Sequence, residues 1–305
     1  MGPPPTSVLL PTVRWTEACS EVAAGLRADD ELLLVADTTA DPIADRRGDL
    51  PDGVTLLLAG EPVGCSGKAN AIAAGMEAAE HDRIVWTDDD FHHPPDWLAA
   101  LHAEYERNGP TTECPVFVGR DPLGVLLEPA YVIGGTLAVD RGGIAWGGSV
   151  VFERNDLDED AFLADLRRTI SDDGTLSEHL DVTAVKRTRT VPAGGSVRDS
   201  LERFVRFTWI LRRHAPRAAA ANVVLAVVLS VLCVVAPVPT AAVLTAVSAG
   251  TYAWFGVDRA SFLLSVPAVL AAPPLLGYAL MRRTFVWGGR RYRWRDRFDV
   301  TVLPE

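Results

Sequence analysis

Ile84-Val85-Trp86-Thr87-Asp88-Asp89-Asp90-Phe91-His92-His93-Pro94-Pro95 decides the reading of this chain. A short apolar run bounded by polar residues has the look of a buried strand, and three carboxylates follow it directly. In an α/β sheet, ligands bind beyond the carboxyl ends of strands, which is where these acids would emerge. Neighbouring carboxylates repel one another unless a cation holds them. A hard divalent ion such as Mg²⁺ takes oxygen ligands and bridges protein carboxylates to substrate phosphates. Most Asp runs are solvated acidic turns, so this run alone leaves a metal–diphosphate site and a plain turn as equal alternatives.

Outward from the run, residues 1–217 alternate between strand and helix signals. Ser7–Leu10, Leu32–Val35, Arg83–Trp86, Gly134–Val139 and Ser149–Phe152 read as strands. Trp15–Leu26, the Ala-rich Lys68–Ala79, Pro95–Tyr105 and Glu159–Arg168 read as helices. Such alternation predicts an α/β domain with a mainly parallel, Rossmann-like sheet. Three apolar stretches follow, at Arg217–Val238, Thr240–Val257 and Ala260–Met281. The first and third are long enough to cross a bilayer, which takes about 20 residues. The middle one is marginal, and Pro273-Pro274 is expected to kink the third.

Charge follows the same division. The 305 residues carry a net −11, while the last 24 carry +4 and residues 218–281 hold one ion pair, Asp258 and Arg259. The body up to residue 217 is therefore strongly acidic and unsuited to nucleic acid. Lys occurs only at 68 and 186, and an acidic, Lys-poor surface suggests a halophilic source. Cys19, Cys65, Cys114 and Cys233 show no metal or disulfide spacing and read as reduced thiols. Residues 1–7 lack the regions of a signal peptide. Arg212, Arg213 and Arg217 precede the apolar part, and Arg282, Arg283, Arg290 and Arg291 follow it. The positive-inside rule puts both flanks in the cytoplasm, whereas three full crossings would separate them. One stretch is then re-entrant or interfacial.

Further motifs fall at element ends. Asp37, after the second strand, could accept hydrogen bonds from a base or ribose. Gly67-Lys68-Ala69-Asn70 opens a helix, where N–H groups and an ammonium suit phosphate. Trp146-Gly147-Gly148-Ser149 would let backbone approach a substrate. Asp172-Asp173 precede a helix, as a general base or as ordinary caps. Arg203 and Arg206 share a helix face and would either neutralise a diphosphate or snorkel at a membrane surface.

In this order, Asp37, Gly67-Lys68, Asp88-x-Asp90, Gly147-Gly148-Ser149, Asp172-Asp173-x-x-Leu176 and Arg203-x-x-Arg206 resemble the inverting family-2 glycosyltransferases with a GT-A nucleotide-sugar-binding fold. Val35–Asp41 is similar to the family's V-D-D-x-S-x-D segment, with Ala36 for the first Asp. Asp88–Pro95 resembles the D-x-D-x-x-H-P-P segment of dolichyl-phosphate mannose synthases. Arg203-x-x-Arg206-Phe207 and Trp287–Tyr292 resemble segments of ceramide glucosyltransferase-like enzymes, with Phe207 in place of Trp.

The resemblance implies a catalytic domain over 1–215, a transmembrane region over 216–281 and a basic cytoplasmic tail over 282–305. It implies Asp173 as catalytic base beside Asp172, and Asp88 and Asp90 as ligands of Mg²⁺ or Mn²⁺. Asp37, Lys68, Asp88, Arg203 and Arg206 would hold the donor, and Gly147, Gly148 and Ser149 the acceptor. The expected enzyme sits in the cell membrane with its catalytic domain in the cytoplasm. It transfers a sugar from a nucleotide sugar, UDP-sugars ahead of GDP-sugars, to a lipid hydroxyl or a polyprenyl phosphate. A non-catalytic sugar-nucleotide-binding protein is the remaining alternative.

Overall fold

The computed structural model describes residues 2–304. Its main sheet has seven strands: β1 (Thr6–Pro11), β2 (Glu31–Ala36), β3 (Val54–Leu58), β4 (Arg83–Thr87), β5 (Thr111–Gly119), β6 (Ser149–Glu153) and β7 (Thr183–Ala193). Their spatial order is β3-β2-β1-β4-β6-β5-β7. The β3-β2-β1-β4 half is parallel, as expected, but β6 runs antiparallel to both β4 and β5. β1, β2 and β4 are buried almost throughout, the pattern of strands covered on both faces.

Register places the functional segments. Pro11 pairs with Val35 and Leu9 with Trp86, so Thr12, Asp37 and Asp88 emerge at one edge of the sheet. Thr87 pairs with Ser149 on the antiparallel β6, which brings Gly147-Gly148 to that same edge.

The helices are α1 (Glu17–Ala24), α2 (Gly67–Ala78), α3 (Trp97–Asn108), α4 (Pro122–Tyr131), α5 (Leu137–Gly142), α6 (Glu159–Leu166), α7 (Asp172–His179), α8 (Val197–His214), α9 (Pro216–Val235), α10 (Pro237–Phe255) and α11 (Ser265–Met281). The chain ends in β8 (Phe285–Trp287), β9 (Arg290–Asp296) and β10 (Asp299–Leu303), so the basic tail is folded into strands.

The chain divides into two compact units. The first holds the residues up to Cys114, Gly143–Arg189 and Arg297–Val302; the second holds Pro115–Gly142, Thr190–Asp296 and the residues from Leu303 on. In the first, Leu9, Leu33, Ile72, Met76, Trp86, Phe152 and Phe162 form a core between the sheet and α2, α6 and α7. Trp86 stacks on Phe162 and meets Phe152 edge-on. Val8, Leu10, Leu32, Leu34, Val85, Trp97 and Leu101 fill the opposite face.

One expected strand is wrong. Gly134–Val139 is helical: α4 continues through a π-turn at Val132–Thr136 into α5. The β-branched and Gly content suggested extension, but Asp121 caps this helix, accepting from the N–H groups of Leu123 and Gly124, with Pro122 at its first position. Asp before Pro is a helix-start signal that outweighs composition here. The two prolines of α11 also sit inside one continuous helix, Ser265–Met281.

Among the described residues, three helical segments are long and apolar enough to cross a membrane: Pro122–Gly142, Pro216–Val235 and Ala260–Met281. The first of these was not expected, and α10 is not among them. On α9 and α10, Val224, Leu225, Val228, Val231, Val235 and Val243 are exposed. Within this unit Glu128 of α4, only 1 % exposed, accepts two hydrogen bonds from Arg259, at 2.9 and 2.8 Å, and one from the Gly119 N–H at 2.8 Å. Arg259 thus belongs to Glu128, 131 residues away, besides having Asp258 as its neighbour in sequence.

Candidate active site

The first unit gathers acids around one ammonium. Ser66 caps α2 by accepting from the Ala69 N–H, and its own N–H donates to the Thr169 carbonyl. This ties the start of α2 to the loop leading into α7. Ser171 caps α7 by accepting from the Gly174 N–H, which places Asp172 and Asp173 in the first turn, where the helix dipole favours negative charge. Lys68, from the start of α2, therefore reaches both segments. Its Nζ lies 2.7 Å from Asp88 Oδ1 and 3.0 Å from Asp172 Oδ2, with side chains 16 %, 23 % and 5 % exposed. Burial works against the ammonium, yet the charges of Asp172, Asp88 and Asp173 outweigh it and hold the Lys68 pKa well above its ordinary value.

Asp173 is held from the other side. The Gly147 N–H donates to its Oδ1 at 2.8 Å. A Cβ at Gly147 would lie 2.6 Å from that oxygen and 3.0 Å from Asp172 Oδ2, so a side chain there would displace the two carboxylates. Burial, and then the neighbouring Asp172 charge, push the Asp173 carboxyl up to about 8, with Lys68 opposing. A carboxyl that exchanges its proton near neutral pH suits general-base work.

The other acids of the opening run differ. Asp89 accepts from Thr12 Oγ1 at 2.6 Å, so it fastens the run to the end of β1, and burial raises its pKa. Asp90 is exposed, and Asp37 is buried at the end of β2. The Asp41 carboxylate accepts from the Asp37 and Thr38 N–H groups and sets that turn. Among the described residues no three His, Cys, Asp or Glu side chains form a ready metal cage. Asp88 and Asp90 nevertheless suit an ion of the Mg²⁺ type, which uses one or two carboxylates and fills its shell with phosphate and water oxygens.

The supporting contacts of Thr87, His93 and Glu21 escaped the sequence. Thr87 Oγ1 lies 3.0 Å from the Gly148 carbonyl, to which it can donate, and 2.6 Å from His93 Nε2, with which it shares a hydrogen bond. His93 is buried against Phe91 and Trp97, and burial lowers its pKa to about 4, so it stays neutral. Glu21 of α1 accepts from the His93 N–H at 2.7 Å and pairs with His92 at 2.5 Å. The Asp88–Pro95 resemblance drew attention to His93, but nothing in it pointed to Thr87 or Glu21 as its partners.

Ser149 is fully buried. Its hydroxyl donates to Glu113 at 2.8 Å and accepts from Trp97 Nε1 at 3.1 Å, which leaves it facing the interior. Glu113 is held in turn by Arg189, at 2.6 and 2.8 Å.

Arg203 and Arg206 lie on α8, in the second unit, sharing a helix face as the three-residue spacing required. Arg203 stacks on Phe117 and Arg206 on Trp287, at 4.6 and 4.1 Å from the ring centres. Their neighbour Glu202 accepts from Arg282 at 3.0 Å and from the Val286 N–H at 2.9 Å.

A sheet edge presenting a base-type carboxylate, a paired ammonium and an acidic run has the composition of a glycosyl-transfer site, and comparison with known proteins agrees: the chain is a glycosyltransferase. It belongs to glycosyl transferase family 21, whose model matches residues 37–297. The match runs from Asp37 through the acids, α8, the apolar helices and the β8–β9 pair; the family number differs from the family-2 resemblance. No curated protein matches the chain significantly. Among solved structures, it is similar to glucosyl-3-phosphoglycerate synthase from Mycobacterium tuberculosis in complex with phosphoglyceric acid, at 16% identity and a TM-score of 0.38, covering 62% of this chain and 70% of that one. The same synthase with Mn²⁺, UDP and glucosyl-3-phosphoglycerate gives the same four figures. A mycobacterial protein gives 16% identity and a TM-score of 0.39, covering 68% and 74%.

Proposed function

We propose that this glycosyltransferase moves a sugar from a nucleotide-sugar donor, with UDP-sugars preferred, to a lipid acceptor with inversion at the anomeric carbon. The observation that carries the reading is the Lys68 bridge, which brings Asp88 and Asp172 within 3.0 Å of one ammonium while Gly147 presents Asp173 beside them. Asp88 and Asp90 would hold Mg²⁺ or Mn²⁺, which when bound offsets charge on the departing nucleoside diphosphate. Lys68 faces the same diphosphate, and Asp37 at the end of β2 meets the nucleoside. Asp173 takes the proton from the attacking acceptor hydroxyl. The Gly147-Gly148 backbone lies along the acceptor side, with Thr87 and His93 fixing its course.

The membrane part favours a lipid acceptor and location in the cell membrane, with the catalytic part in the cytoplasm. Among the C-terminal stretches, Pro216–Val235 and Ala260–Met281 have the length and apolarity of spans. Two crossings return the chain to its starting side, which reconciles the arginines before α9 with those after α11. α10 would then lie at the far interface.

The test is to incubate the purified full chain with a panel of radiolabelled nucleotide sugars, divalent metal and total membrane lipid. Metal-dependent transfer of label to lipid supports the reading. Stability of the product to mild acid marks a glycoside on a hydroxyl. Lability marks a sugar phosphate and favours the polyprenyl-phosphate acceptor that the Asp88–Pro95 segment resembles. Donor binding without turnover would point to the non-catalytic alternative.

A further inference from the structure

The Arg297-Phe298 turn between β9 and β10 belongs to the first unit, as does α7. We propose that this turn is a positioning element for the base. It grips the segment that carries Asp172 and Asp173 on both flanks and so keeps Asp173 against the Gly147 N–H. This role rests on the reading of Asp173 as base, but Arg297, Phe298, Arg168 and Glu178 lie outside every motif that led to that reading.

The turn meets the segment before the acids and again after them. Before them, the Arg168 guanidinium lies 5.1 Å from the centre of the Phe298 ring, and the Arg297 guanidinium lies 4.8 Å from the same centre. After them, Arg297 pairs with Glu178 in the last turn of α7. An aromatic face attracts cations, and a guanidinium over a ring keeps its N–H donors for a carboxylate. Arg168 and Glu178 are thereby tied to each other through two consecutive residues from the end of the chain.

The rest of α7 shows why such a grip matters. The helix has only eight residues, and one so short owes its place to its contacts. Ser177 accepts from the Ala145 N–H at 2.9 Å and donates to the Asp173 carbonyl at 2.7 Å, and His179 meets Asp165 of α6 at 3.0 Å. Against these stands the repulsion between Asp172 and Asp173 in the first turn, which burial strengthens. Contacts farther along the helix must resist it. Arg297 adds one at the end where the helix dipole favours a cation.

Position, more than stability, is what the turn can supply. The Arg297 and Glu178 side chains are 36 % and 24 % exposed, and ion pairs so open to water add little to stability. A base is far more sensitive to its placement: a shift of about 1 Å in a reacting group can cost a hundredfold in rate. Loss of the turn's grip should therefore appear in kcat before it appears in the melting temperature.

Arg297→Ala and Phe298→Leu in the full chain, in neutral detergent, test this with two readouts. Hydrogen exchange at the Gly147 amide, resolved to single residues, reports the hold on Asp173 without any turnover, and it should quicken severalfold in both variants. In Arg297→Ala, kcat for transfer to a hydroxyl acceptor should fall about tenfold, with donor affinity and melting temperature little changed. The exchanged pair Arg297→Glu/Glu178→Arg should recover most of that kcat. Added to Asp173→Asn, Arg297→Ala should cost nothing further, because the residue it positions is already gone. Unchanged exchange at Gly147 overturns the proposal. So does an undiminished kcat in Arg297→Ala beside a collapse in Asp173→Asn, or a lower melting temperature with kcat kept. If Asp173→Asn alone leaves transfer undiminished, it is the reading of Asp173 as base that fails, and the Gly147 exchange still decides whether the turn holds that carboxylate.

Discussion

Two buried charge arrangements, one in each unit, are built in opposite ways. In the second, Glu128 and Glu202 each meet one arginine, Arg259 and Arg282 respectively. In the first, Lys68 meets three acids together, Asp88, Asp172 and Asp173. Matched pairs fasten helices, and nothing more is needed to explain them. An unmatched cluster costs stability through repulsion and desolvation, so it marks a place where a ligand's charge completes the balance. The acids lack positive charge, which a divalent ion supplies.

The comparison can be broken most forcefully at Glu128. Arg259→Ala leaves that carboxylate buried without its cation and should destabilise the protein by about 3–5 kcal/mol. Arg259→Lys should recover part of this, since an ammonium cannot reproduce the two-pronged contact. Thermal unfolding of both variants in detergent measures it, and an unchanged melting temperature would mean the matched pair fastens nothing. At the cluster around Lys68, Lys68→Met removes the ammonium at its centre and should cost about 3 kcal/mol by the same reasoning. Here, unlike at Glu128, saturating Mn²⁺ should restore part of the loss, and that difference is what separates the two kinds of site.

Metal alone provides a gentler probe. Mn²⁺ at a hundred times its dissociation constant should stabilise the wild-type chain by about 2.7 kcal/mol. Asp88→Asn and Asp90→Asn should each lose most of that gain, while Glu202→Gln should keep it. The smallest effect concerns pH. With its folded pKa raised to about 8, Asp173 stays protonated where the unfolded carboxyl has already ionised. Its contribution to stability is therefore full below the ordinary carboxyl range and fades as pH rises through about 8. Activity should move the other way, since only the ionised form accepts a proton. The free enzyme's kcat/KM should climb about tenfold per pH unit and level off near 8. A profile flat from pH 6 to 9 would contradict the placement of Asp173.

Much of this was legible in the sequence, because periodicity and strand-end chemistry are local. Ser7–Leu10, Leu32–Val35, Arg83–Trp86 and Ser149–Phe152 all lie within observed strands, and Asp88 and Gly147 emerge where expected. What escaped depends on contacts distant in sequence. β3, β5 and β7 carry no alternation clear enough to separate them from loops. The reversal of β6 is a property of pairing, not of its residues. Gly134–Val139 was misread because its β-branched residues sit on a helix begun by Asp121-Pro122 twelve residues earlier. Lys68 could be singled out by rarity, but nothing in the spacing said that it would join Asp88 to Asp172. The structural duty of Ser149, bonded to Glu113, was equally invisible, because Glu113 is buried on another strand.

The central claim is that Asp173 acts on the acceptor at a site assembled around Lys68. It is tested most directly by measuring kcat for sugar transfer to a hydroxyl acceptor beside donor affinity in Asp173→Asn. The amide keeps the shape and can still accept from the Gly147 N–H. The account predicts a fall in kcat of about a thousandfold, within the range for loss of a general base, with nucleotide-sugar affinity little changed. Undiminished transfer by this variant would contradict it.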